Sequence, residues 1–105
     1  MTRRVVVTGM AGTTALGGTY AEIEQRMRAG ETGTRYIPEW DRLTDLTCKV
    51  GAPADWFKHE GFYPRQKMRS MGRVAVMAVD AAERAIASAG LTDDPVLKGG
   101  RTGIS

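Results

Sequence analysis

Apolar and polar positions alternate along this chain in a way that predicts strand, helix, irregular excursion, helix and strand. Val5, Val6, Val7 and Thr8 form an unbroken β-branched run. Such a run predicts a strand buried on both faces, as in a parallel sheet. Gly9, Gly12, Gly17 and Gly18 then interrupt regular structure. Thr19 is placed to cap a helix over residues 20–29, with Glu22 at capping-box spacing. Ile23 and Met27, four apart, share one face of it. Gly30 suits the position just beyond its end.

Residues 31–45 show no period, and Pro38 disfavours a helix there. Leu46-Thr47-Cys48-Lys49-Val50 alternates and predicts a short half-buried strand, closed by Gly51 and Pro53. Asp55 to Lys58 reads as one helical turn. A new helix can start near Pro64, since proline is tolerated in a first turn. The strongest periodic segment is residues 72–89. Val74, Ala75, Val76, Met77, Ala78 and Val79 make it apolar almost all round, leaving a narrow strip at Arg73, Asp80, Glu83, Arg84 and Ala87. That pattern predicts a buried helix, and its alanines allow a close neighbour. Eighteen residues span roughly 27 Å, about the width of a small domain. Gly90 closes the helix, and Arg101-Thr102-Gly103-Ile104-Ser105 reads as the entry to another buried strand.

This order predicts α/β architecture with a parallel or mixed sheet. A long apolar helix and two buried strands need more covering protein than 105 residues supply. The expectation is therefore an α/β fold cut short.

Composition narrows the picture further. The net charge of +3 is too small to argue for nucleic acid. No apolar run is long enough to span a membrane, and Val5 to Val7 is too short for a signal-peptide core. A single thiol, Cys48, excludes an internal disulfide and fits the cytoplasm.

The candidate chemistry is sparse. The glycine-rich turn could hold a pyrophosphate on backbone N–H groups, but Thr13 and Thr14 break every dinucleotide spacing and no GK[ST] follows. These glycines read as turn and packing residues. Cys48 lacks a base or helix N-terminus to activate it, and reads as a packing residue. His59, flanked by Lys58 and Glu60, reads as a solvated side chain. One His and one Cys cannot complete a structural zinc site, so neither metal nor cofactor is expected. The most suggestive signal is basic: Lys58, Arg65, Lys67, Arg69 and Arg73 meet only Glu60, a local charge of +4. Arg65 and Arg69 share a helical face if a helix starts at Pro64, and Arg73 extends the line. Such a row can hold a phosphate-bearing or acidic partner; a solvated helix face is the plainer reading. Trp40, Trp56, Phe57, Phe62 and Tyr63 crowd the excursion, as a local core or as packing for a partner.

These residues resemble a known family in order along nearly the whole chain. Arg3 to Met10 with Ala15-Leu16-Gly17 is similar to the N-terminus of the β-ketoacyl-[acyl-carrier-protein] synthases of the elongating type. Ala29-Gly30-Glu31-Thr32-Gly33, Arg69-Ser70-Met71-Gly72, residues 81–91 and Arg101-Thr102-Gly103-Ile104 resemble its later motifs in register. The resemblance implies a thiolase-like fold of layered α/β halves, usually a homodimer, with residues 1–105 an incomplete segment of the N-terminal domain. It implies decarboxylative Claisen condensation of an acyl chain with malonyl-carrier protein, in the cytoplasm, with no cofactor. The family's nucleophilic cysteine and two histidines belong to motifs further on, so no catalytic residue is carried onto this chain. Arg65, Lys67 and Arg69 fall where the family docks the acidic acyl carrier protein, and Ser70 stands where some relatives have another base. Two alternatives remain: a non-catalytic partner of the chain-length-factor kind, and the start of a short-chain dehydrogenase.

Overall fold

The computed structural model describes residues 2–58 and 60–105. The expected solvated position of His59 lies outside the described residues. Helix α1 spans Tyr20–Arg28, β1 Arg35–Tyr36, β2 Val50–Gly51, α2 Arg65–Met68 and α3 Arg73–Ser88. Short 3-10 turns cover Pro38–Arg42 and Pro95–Leu97.

The helix ends follow the local chemistry of the sequence. Thr19 adopts extended backbone and its hydroxyl accepts from the Glu22 N–H at 3.3 Å. The Glu22 carboxylate returns to the Gly18 N–H at 3.3 Å rather than to that of Thr19, so the reciprocal cap is displaced by one residue. Gly30 and Gly90, at φ +75° and +71°, follow α1 and α3 in the left-handed conformation that lets the last carbonyls find N–H partners.

The sheet departs from expectation. Among the described residues the only sheet is an antiparallel ribbon of β1 and β2, with Arg35 opposite Gly51 and Tyr36 opposite Val50. The alternating segment 46–50 contributes only its last residue to β2, and its partner comes from the stretch that showed no period. Residues 5–8 and 101–105 form no strand. Val5, Val6 and Val7 are 95%, 64% and 78% exposed, and Ile104 is fully exposed. The reason is physical. A strand buried on both faces needs neighbours for its N–H and C=O groups and cover for its side chains, and nothing among the described residues supplies either.

The same shortage limits the core. Among the described residues its buried apolar side chains are Ile37, Phe57 and Val76. The radius of gyration is 17.8 Å, against about 13 Å for a compact chain of 100 residues. Helix α3 buries Val76 completely while Val74, two residues earlier, stays 78% exposed. The all-round apolar helix is thus covered on one side only. Its alanines do admit a close neighbour: a Cβ on Gly9 would lie 2.6 Å from the Ala89 nitrogen and collide with the Ala85 carbonyl oxygen.

Candidate functional site

Two structures fix the aromatic segment and the glycine-rich loop to α3. The first is an aromatic file. Trp56 and Phe57 meet edge-on at 5.8 Å, Phe57 and Phe62 at 5.5 Å, and Phe62 and Tyr63 edge-on at 5.1 Å. The file is a local core around buried Phe57, and Trp40 is not part of it. One end is anchored by the Trp56 indole N–H, which donates to the Thr14 carbonyl at 2.7 Å. At the other end the Tyr63 hydroxyl donates to Glu83 on α3 at 2.7 Å. Partial desolvation, then this hydrogen bond, then the charges of Glu83 and Asp80 push the Tyr63 phenol up to about 12. In the ribbon, the Tyr36 hydroxyl donates to Asp41, which also raises that phenol.

The second is a tie across the glycine-rich loop. Arg84 donates to the carbonyls of Gly12 (3.0 Å) and Gly18, to the Thr13 hydroxyl (3.1 Å) and to Asp80, its neighbour one turn back (2.9 Å). Within the loop, Thr14 and Gly17 exchange backbone hydrogen bonds at 3.0 and 3.2 Å, and Arg26 reaches the Leu16 carbonyl at 2.9 Å. A Cβ on Gly18 would sit 2.5 Å from the Trp56 ring. The glycines therefore act as packing and turn residues, as the sequence indicates. The Asp80–Arg84 spacing is legible on a helix. The loop partners, some seventy residues away in sequence, left no local signal.

The basic cluster does not act as one row. Arg65, Gln66 and Arg69 line an open concavity of about 430 Å³. Arg69 continues the helical conformation of α2 at φ −55°, ψ −34°, so Arg65 and Arg69 fall on one face. Neither guanidinium has a hydrogen bond or ion pair among the described residues, a state they share with Arg3, Arg4, Arg42 and Arg101, whereas Arg26, Arg28, Arg35 and Arg84 each pair with a carboxylate. Lys67 points elsewhere, its ammonium 5.6 Å from the centre of the Tyr63 ring. Arg73 does not extend the line. Its guanidinium donates to the Ala54 carbonyl at 2.7 Å and lies 5.8 Å over the Phe57 ring. Lys58 borders a separate cavity of about 440 Å³ with Trp56, Phe62 and Arg84. Cys48 is exposed. Among the described residues no group of three His, Cys, Asp or Glu side chains could hold a metal, and no helix is long and apolar enough to cross a membrane.

Comparison with known proteins assigns this arrangement to a family. Residues 2–105 match the family described as "Beta-ketoacyl synthase, N-terminal domain". A crystal structure of a β-ketoacyl synthase from Burkholderia phymatum superposes with a TM-score of 0.85 at 44% identity, over 97% of this chain and 25% of that one. Nodulation protein E of Rhizobium leguminosarum bv. trifolii is 38% identical over 90% of this chain and 23% of its own length. The 3-oxoacyl-[acyl-carrier-protein] synthase 2 of Synechocystis is 33% identical over 85% of this chain and 21% of its own. The chain thus spans about a quarter of the relatives it matches. This match replaces the dehydrogenase reading of the glycine-rich start. Its helices, glycine-rich loop and basic turn belong to the N-terminal domain of the β-ketoacyl synthase family, a thiolase-like fold.

Proposed function

We propose that this chain is part of a 3-oxoacyl-[acyl-carrier-protein] synthase that elongates acyl chains with malonyl-carrier protein in the cytoplasm. In that reaction the malonyl thioester loses CO₂, and the carbanion equivalent attacks an enzyme-bound acyl thioester. The new carbon–carbon bond forms as the enzyme thiol leaves, and the product is a 3-oxoacyl chain on the carrier. Residues 1–105 contribute no catalytic group to this scheme. They supply part of the N-terminal domain of a homodimeric enzyme with two layered α/β halves, and a docking surface for the carrier on the turn that holds Arg65, Lys67 and Arg69. No cofactor or metal takes part.

The observation that carries the reading is the family match from residue 2 to residue 105. The docking role is supported by the concave face that Arg65 and Arg69 share. Guanidinium groups offer forked donors to carboxylates, and two that share one concave face without a partner among the described residues suit an acidic protein. The test is to incubate the intact protein with an acyl-loaded and a malonyl-loaded carrier protein and weigh the carrier-bound products. A carrier bearing the acyl chain lengthened by two carbons as a 3-oxoacyl thioester is the expected result. Binding of both carriers without any condensed product would instead favour the non-catalytic, chain-length-factor kind of partner.

A further inference from the structure

We infer that the three basic residues of the docking turn divide their work: Arg65 and Arg69 contact the acidic partner, and Lys67 is a positioning residue that ties the turn to α3. The inference rests on the docking reading above and deepens it. Its geometric basis is helical spacing. At about 100° per residue, Arg65 and Arg69 lie about 40° apart around the helix, while Lys67 lies about 200° from Arg65. The side chains follow that spacing. Arg65, Gln66 and Arg69 line one concavity, and Lys67 sits over the Tyr63 ring instead.

The turn needs such a tie. Helix α2 has four residues and no buried side chain, and a single helical turn does not hold its own shape in water. Its N-terminal backbone bonds return only to the Pro64 carbonyl, from Lys67 at 2.9 Å and Met68 at 3.2 Å. Tyr63 stands just before Pro64 and is fixed to α3 through Glu83 at 2.7 Å. The cation of Lys67 over the Tyr63 ring therefore links the turn to the longest helix of the chain. Arg65 and Arg69 are aimed by that link. They recognise pairs of carboxylates about one helical turn apart, the chemistry of an acidic helix.

The test uses neutral substitutions of equal kind in the intact protein: Arg65→Gln, Arg69→Gln and Lys67→Gln. Affinity for malonyl-loaded acyl carrier protein is measured across a range of salt concentrations, alongside hydrogen exchange of the amides at 65–69. The expected result is a five- to tenfold loss for each arginine variant, with a flatter salt dependence. Lys67→Gln should lose no more than about threefold, keep the wild-type salt dependence, and exchange its 65–69 amides faster than the arginine variants do. If Lys67→Gln loses as much affinity as the arginine variants and flattens the salt dependence equally, the division of work is wrong while docking at α2 stands. If none of the three changes affinity at low salt, the docking reading fails and the inference falls with it.

Discussion

Replacing Arg84 with methionine should loosen the glycine-rich loop without disturbing the helix that carries it. Methionine keeps helix propensity and much of the apolar stem. It removes the donors to Gly12, Gly18, Thr13 and Asp80. A hydrogen bond to a charged group contributes about 1.5–3 kcal/mol, and breaking a fully buried pair costs about 3–5 kcal/mol. The Arg84 side chain is 33% exposed and that of Asp80 13%, so water re-solvates part of what is lost. A net cost of about 2 kcal/mol follows. This corresponds to roughly thirtyfold faster opening where opening is local. The assay is native-state hydrogen exchange of the Thr14 and Gly17 amides, which bond each other across the loop, with the α3 amides as internal reference. Arg84→Lys should recover little, because an ammonium cannot replace the fork. A change below threefold at Thr14 and Gly17 would refute the claim that Arg84 holds the loop.

Two further perturbations probe other joints. Gly9→Ala should lower the unfolding midpoint by the equivalent of about 1–3 kcal/mol, because the added methyl meets Ala85 and Ala89; an unchanged midpoint would show that this segment does not pack on α3. Tyr63→Phe removes a group whose folded pKa is raised from 10 to about 12. The wild type should be the more stable below pH 10, and its advantage should shrink as pH rises through about 12, because the neutral phenol is the form the fold favours. Thermal melts of both proteins from pH 8 to 12 check this, and a gap that widens with pH would contradict it.

The elements legible in the sequence are those set by neighbouring residues. Thr19 with Glu22, Gly30 and Gly90 marked helix ends to within a residue or two, since caps depend on local backbone groups. The packing role of Gly9 and Gly18 agrees with a spacing that matches no phosphate loop. The apolar runs at 5–8 and 101–105 form no strand among the described residues, because period reports what a segment can bury, and the covering protein that such strands need is not at hand. Leu46 to Lys49 alternates, yet the ribbon forms between Arg35–Tyr36 and Val50–Gly51, because pairing is a long-range choice that propensity only weakly guides. In the basic turn at 65–69, charge and spacing place Arg65 and Arg69 on one face. The contacts of Arg73 with Ala54 and of Lys67 with the Tyr63 ring depend on the aromatic segment, whose tie to α3 through Tyr63 and Glu83 has no local sequence signature.

The most direct test of the central claim is hydrogen exchange of the intact protein with and without malonyl-loaded acyl carrier protein. The account predicts slowed exchange in and just after α2, at residues 65–72, and no change in the ribbon at 35–36 and 50–51. Protection confined to the ribbon, or none anywhere in residues 2–105 at saturating carrier, would contradict it.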